Sequence, residues 1–287
     1  MVISTGEFSM NDFLRRSRQN PQAILGGTLL IITLIVVAFG PLLAPYNPET
    51  FHGGHRLEGP SSQFLLGTDN FGRDLLSRVL YGARPTVLFG IFTTALGVGL
   101  GTLIGVISGY LGGTFDDAVM RVMDGLMAIP NLLLALLIIT ALGSSSLNAG
   151  IAVGLAFMPG MARITRSTTL AIRSQDYVRA AVARGEKRGY IVTREVLPNV
   201  FAPTIVEGTI RVAFAIMLGA SLSFLGLGAQ PPSSEWGLMV AEGRNYLFRN
   251  PWIVIGPGIA IAVVSISFNL LGDGLRDLLN PKVERAG

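Results

Sequence analysis

From residue 23 to residue 44 the chain carries no charged side chain. A run of about 20 apolar residues is what an α-helix needs to cross the hydrocarbon core of a bilayer. Five more apolar stretches follow, at 86–110, 119–142, 147–164, 203–227 and 253–272, each near that length. Inside hydrocarbon every backbone N–H and C=O must find its partner within the chain, and helices meet that demand segment by segment. The pattern predicts an all-α polytopic membrane protein with six transmembrane helices and both termini on one side. Arg15, Arg16 and Arg18 precede the first run, an arrangement that also fits a signal peptide. That run is too long for a signal peptide's apolar region, however, and ends in 44-APYNP-48, a poor cleavage site, so it reads as an uncleaved helix.

The spans divide the chain into an N-terminal tail (1–22), a first helix (23–44), an external loop (45–85), a five-helix core (86–275) and a C-terminal tail (276–287). The external loop contains a short amphipathic stretch, 74-DLLSRVLYGAR-84, and the core contains a polar loop at 164–202. Half of the residues are apolar and only 14% are charged, so no polar block remains from which to build a soluble domain. The net charge of +4 is accounted for by basic loops on the cytoplasmic side rather than by nucleic-acid binding. With the N-terminus cytoplasmic, that side collects fifteen Lys and Arg residues, eight of them within 163–194, against six on the other side. The bias is incomplete, because Arg56, Arg73, Arg78 and Arg84 make the first external loop basic as well.

Several chemistries are excluded or weakened by residue types. The chain has no Cys, hence no disulfide, thiolate metal site or Cys nucleophile. A phosphate-binding P-loop needs Gly-Lys-Ser/Thr, and the two lysines, Lys187 and Lys282, follow Glu186 and Pro281. The motif 52-HGGH-55 offers two imidazoles but no third ligand, and reads as a solvated loop. The same two His are the only conventional bases for a Ser nucleophile. Glu207 and Arg211 lie four apart in the fifth span and can pair on one helix face. Asn131, Ser221, Ser223 and Asn269 either line a polar path or act as interhelical hydrogen-bond glue. In the second span Gly97, Gly101, Gly105 and Gly109 form a smooth ridge, read first as packing inside this chain and second as a subunit interface.

The segment 177-YVRAAVARGEKRGYIVTREVLPN-199 is a polar island between apolar runs. Ala180, Ala181 and Gly185 are small, Tyr177, Val178 and Val182 add an apolar stripe, and Arg179, Arg184, Lys187 and Arg188 surround them. On a short helix they make a close-approach surface, followed by a second helical stretch that stops at Leu197-Pro198. Such a helix inserts into a groove on another protein, or the segment is a basic loop that enforces topology; spacing leaves both open.

The run 180-AAVARG-185, with Leu197-Pro198 a dozen residues on, resembles the Glu-Ala-Ala loop of permeases in ATP-binding-cassette importers, with Arg179 where that family has Glu. The stretches 66-LGTDNFGRDLLSRVLYGAR-84, 221-SLSFLGLGAQPPSSEWG-237 and 268-FNLLGDGLRDLLNPK-282 resemble the C-type permease of dipeptide, oligopeptide, glutathione and nickel importers. The resemblance implies a type I importer permease fold in a bacterial inner membrane, with cytoplasmic termini. It implies as partners a second, B-type permease, two ATPase subunits that hold ATP and Mg, and an external substrate-binding protein. No cofactor is expected on this chain. The coupling role falls on Tyr177, Ala180, Ala181, Arg184, Gly185, Leu197 and Pro198, and transport would proceed by ATP-driven alternating access. A self-sufficient secondary transporter or channel is the alternative; it predicts inverted repeats and buried carboxylates, and apart from Glu207 no acidic residue falls deep in a span.

Overall fold

A computed structural model describes residues 20–279. The tail residues Arg15, Arg16, Arg18, Lys282 and Arg285, counted above, lie outside them. Helix α1 (Pro21–Leu43) starts at Asn20, whose side-chain oxygen accepts from the Gln22 and Ala23 N–H groups. Helix α2 spans Leu75–Leu111, α3 Gly113–Met127, α4 Asn131–Leu142 and α5 Ser146–Arg173. A short helix, α6 (Asp176–Ala183), is followed by a turn at Arg188–Tyr190 and a π-helical segment at Ile191–Val196, which runs into α7 (Leu197–Phe224). Helices α8 (Trp236–Gly243) and α9 (Trp252–Leu279) complete the order.

Five of these units are long and apolar enough to cross a membrane singly, and α3 with α4 makes a sixth crossing only as a bent pair, at 94°. The third apolar stretch is therefore not one straight helix. Its break falls at 128-AIP-130, where Pro130 drives the preceding Ile129 out of the helical region, and α4 restarts with Pro130 at its N-cap. A second departure is α2, which absorbs the expected short helix at 74–84 and passes Pro85 without stopping. Asp74 caps its first turn through the Ser77 N–H at 2.8 Å, and Leu75, Arg78 and Ala83 are buried, so tertiary contacts hold the extension that Pro85 weakens. At 37 residues α2 measures about 55 Å, well beyond a hydrocarbon core of about 30 Å.

A third departure lies at Leu197-Pro198, where the chain does not stop. Pro198 occupies the first turn of α7, directly after the π-helical turn, in which the Leu197 N–H reaches back to Val192 O. The wider turn takes up the missing N–H and the bulk of the ring.

The glycine ridge of α2 packs on α5 within the chain. A Cβ at Gly97 would stand 2.5 Å from Gly154 O, one at Gly101 2.6 Å from Met158 O, and one at Gly105 2.0 Å from Thr165 Oγ1. The two helices therefore touch backbone to backbone, which only residues without side chains permit. Helix α1 leans on α9 in the same way through Gly26 and Gly274. The side chain of Asn20 donates to Asp277 at 3.2 Å, so the described chain begins and finishes at one end of the bundle, the end that carries α6.

Candidate functional site

Helix α6 closes with a Schellman turn. The Gly185 N–H donates to Val182 O at 3.0 Å and the Glu186 N–H to Ala181 O at 3.2 Å, while Gly185 takes φ +78°. A Cβ at Gly185 would meet nothing within 4 Å, so glycine is set here by backbone conformation and not by close approach inside the chain.

The helical phase of α6 separates two faces. Val178 and Ala181, three apart, are buried with Val106 of α2, Ile191 and Val196 of the π-helical segment, and Val200 of α7. Leu197 packs partly against this cluster. Tyr177, Ala180 and Arg184 lie on the opposite, exposed face, and Pro198 is exposed on the neighbouring helix. Arg179 is exposed as well, at the position where the resembled loop has Glu. Burial, and then the carboxylate of Glu195, raise the Tyr177 phenol above its ordinary value, so it stays protonated and neutral. The site therefore offers a short, rigid, outward stripe built on one small residue and flanked by an aromatic ring and a guanidinium.

A second cluster lies at the other end of the bundle and was not foreseen. Asp69 Oδ2 accepts from Arg73 Nε at 2.6 Å and from Arg78 Nη1 at 2.9 Å, and Glu242 Oε2 accepts from both arginines at 3.3 Å. Arg78 Nη2 also donates to Ser233 O at 3.2 Å. Trp236 donates its indole N–H to Val79 O at 2.9 Å, and Asn250 donates to Glu58 O and Thr68 O. These bonds lock the loop before α2 to α8 and to the turn ahead of α9. Arg73 and Arg78 are thus both paired with carboxylates inside the protein. The cluster of arginines between residues 56 and 84 was the available sequence signal, but the partner Glu242 lies far along the chain.

The remaining candidates resolve individually. His52 Nδ1 lies 3.0 Å from Gly72 O and His55 Nδ1 3.0 Å from Glu58, with both rings against Phe64, so the pair is packed and not merely solvated. Glu207 and Arg211 pair at 3.1 Å, with Arg276 of α9 at 3.9 Å and the Phe157 ring 5.7 Å beneath the Arg211 guanidinium. Ser221 donates to Met217 O, and the Ser223 hydroxyl accepts the Ala229 N–H; both bonds are local. Glu235 caps α8 by accepting the Gly237 and Leu238 N–H groups at 2.9 Å each. Burial pushes its carboxyl above the ordinary value, against the pull of those two donors.

Long apolar helices packed through small residues, with a short helix presented at the end where the described residues begin and finish, define a multi-span integral membrane protein. Residues 101–285 match the binding-protein-dependent transport system inner membrane component, and residues 10–60 match the N-terminal transmembrane domain of oligopeptide transport permease C. The chain belongs to this family of binding-protein-dependent transport permeases. It is 39% identical to a dipeptide transport system permease protein of Alkalihalophilus pseudofirmus, over 94% of this chain and 89% of the relative. It is 40% identical to a probable D,D-dipeptide transport system permease protein of Escherichia coli, over 92% and 88%. Against a glutathione transport system permease protein of Pectobacterium atrosepticum the identity is 38%, over 95% and 91%. The fold is similar to that of a chain in the inward-facing MetNI methionine ABC transporter, with TM-score 0.58 and 17% identity over 71% of this chain and 97% of that one.

Proposed function

We propose that the chain is the C-type permease subunit of an importer for peptides or related small solutes, and that α6 is the helix through which separate ATPase subunits move it. The observation that carries this reading is near-full-length similarity, at 38–40% identity, to permeases named for dipeptide, D,D-dipeptide and glutathione transport.

The geometry of α6 supports the coupling role. Tyr177, Ala180 and Arg184 contact the ATPase, with Ala180 small enough to let the helix lie in a cleft. Ala181 and Leu197 seat the helix on its own chain, Gly185 turns the backbone after it, and Pro198 leads the chain into α7. Because Val178 and Ala181 are packed against residues of α2 and α7, a push on α6 is delivered to two spanning helices together. The end that carries α6, with both termini, faces the cytoplasm by the excess of Lys and Arg there. The chain supplies no phosphate-binding loop, so ATP and Mg are held by the ATPases, and this subunit is not catalytic. A B-type permease completes the path and an external binding protein delivers the cargo.

Reconstitution tests the reading. The chain, its neighbouring permease, ATPase and binding protein are assembled in proteoliposomes and given a labelled dipeptide with ATP. ATP-dependent uptake is expected; uptake that proceeds at full rate without the ATPases, driven by an ion gradient, would sink the proposal in favour of secondary transport.

A further inference from the structure

We propose that a basic cavity behind α6 binds the phosphate-bearing headgroup of an anionic membrane lipid. The cavity has a volume of about 480 Å³, within the range of small-molecule sites. Arg173, Arg179 and Arg188 line it, with Glu186 as the one carboxylate among its lining residues. None of the three arginines forms an ion pair among the described residues, whereas Arg78, Arg163, Arg166 and Arg211 all do. The three guanidinium groups thus have charge to offer and a concave place in which to offer it.

The rest of the lining says which anion fits. Tyr110 and Leu111 lie in the last turn of α2, Arg173 is the last residue of α5, and the buried Val178 and Ile191 also line the cavity. Tyr110 is the last residue of the apolar stretch 86–110, and aromatic residues are favoured where such a stretch gives way to headgroups. The Arg173 guanidinium stands 5.9 Å from the centre of the Tyr110 ring, which holds the cation over an aromatic face. A lining that joins three guanidinium groups to Leu111, Val178, Val182 and Ile191 matches a lipid, which carries a phosphate joined to acyl chains, better than it matches a free anion. The cavity is lined by the buried Val178 of α6 and not by Tyr177, Ala180 or Arg184 of the outward stripe. A bound headgroup would therefore brace α6 against α2 and α5. This goes beyond the coupling role proposed above and does not depend on which cargo is carried.

The test uses the purified full chain in nanodiscs of phosphatidylcholine alone or mixed with phosphatidylglycerol, read by native mass spectrometry. The wild-type chain is expected to retain phosphatidylglycerol, and the Arg173→Gln/Arg179→Gln/Arg188→Gln variant to bind it about a hundredfold more weakly, as loss of three interfacial cations implies. The corresponding triple Lys variant should keep most of the binding, and inorganic phosphate should not displace the lipid. Equal retention by wild type and the Gln variant would overturn the proposal. So would full displacement by inorganic phosphate, which marks a soluble-anion site, or by added ATPase subunits, which marks an acidic protein surface. A photoactivatable phosphatidylglycerol gives a readout on the unmodified chain: adducts on Tyr110, Leu111 or Ile191 support the site, and adducts confined to α1 refute it.

Discussion

Nη1 of Arg78 lies 2.9 Å from Oδ2 of Asp69, with the two side chains only 2% and 1% exposed. The same carboxylate oxygen holds Arg73 Nε, and Glu242 of α8 closes the group on both arginines. Removing two guanidinium groups from water costs several kcal/mol each, on the order set by ion desolvation, and the carboxylates offset it only while all members are present. The loop before α2 is thereby tied to α8, far away in sequence.

Deleting Asp69 leaves both arginines dependent on Glu242, which is itself partly exposed. Asp69→Ala is expected to destabilise the protein by about 3–5 kcal/mol, the cost of stranding a buried charge. Adding Arg78→Met to that variant should restore part of the loss, since it removes the stranded cation. Thermal unfolding in detergent measures both, and an unchanged midpoint for Asp69→Ala would show that the ring does not hold this loop.

The contact of α2 with α5 makes a sharper contrast. A methyl group at Gly105 would stand 2.0 Å from Thr165 Oγ1 and 2.4 Å from Ala162 O, while one at Gly99 meets nothing within 4 Å. Gly105→Ala should cost at least about 1–3 kcal/mol as the helices are forced apart. Gly99→Ala should be neutral or stabilise by up to about 1 kcal/mol through helix propensity. Similar melting of the two variants would refute close packing at the ridge.

At Gly185 the physics is that of the backbone. With φ +78°, any β-branched residue is strained by roughly 1–2 kcal/mol, whereas Asn tolerates the left-handed region. Gly185→Asn is expected to retain ATP-coupled transport, and Gly185→Val to lose coupling while remaining folded in the membrane. Equal loss in both would mean that a partner surface, and not the turn, requires glycine.

Glu235 gives a pH dependence outside the spanning segments. Its native pKa is raised above the ordinary value of 4.5, chiefly by burial, so between the two values the folded chain binds a proton that the unfolded chain has released. The stability linked to this group is full below about 4.5 and is lost as pH rises through the higher native value. Glu235→Gln keeps an oxygen for the α8 cap but cannot ionise. The difference in melting midpoint should therefore move in favour of the variant as pH rises from about 4.5 toward the native value and level off beyond it; a pH-independent difference would show that the carboxyl titrates normally.

The spans and the glycine ridge were legible because hydrophobic length and a four-residue repeat are local signals. The bend at Pro130 was not, since apolar content says how much chain can enter a membrane and nothing about its direction. The pairing of Arg73 and Arg78 was not legible, for their carboxylate partners are fixed only by the fold. Gly185 was noticed for its size, but a left-handed φ leaves no mark in a single sequence beyond the glycine itself. In the polar island the residue types were clear, while the division into an inward and an outward alanine needed the helical phase of α6.

That division yields the most direct test of the coupling helix. Ala181 is fully buried on its own chain, and Ala180, one position earlier, is exposed. Ala181→Leu overpacks the cluster of Val106, Val178 and Ile191, which should cost about 1–3 kcal/mol and lower the melting midpoint. Ala180→Leu adds its bulk to the outward face, where surface changes are normally worth less than about 0.5 kcal/mol, so stability should be unchanged. If α6 lies in a cleft of the ATPase, Ala180→Leu should reduce transport and the ATPase stimulation by cargo together, in an otherwise intact membrane subunit. Melting curves and transport assays on the two variants separate these effects. Normal coupling in Ala180→Leu would leave the outward stripe as a solvated face, and the force from ATP binding would have to enter the bundle elsewhere.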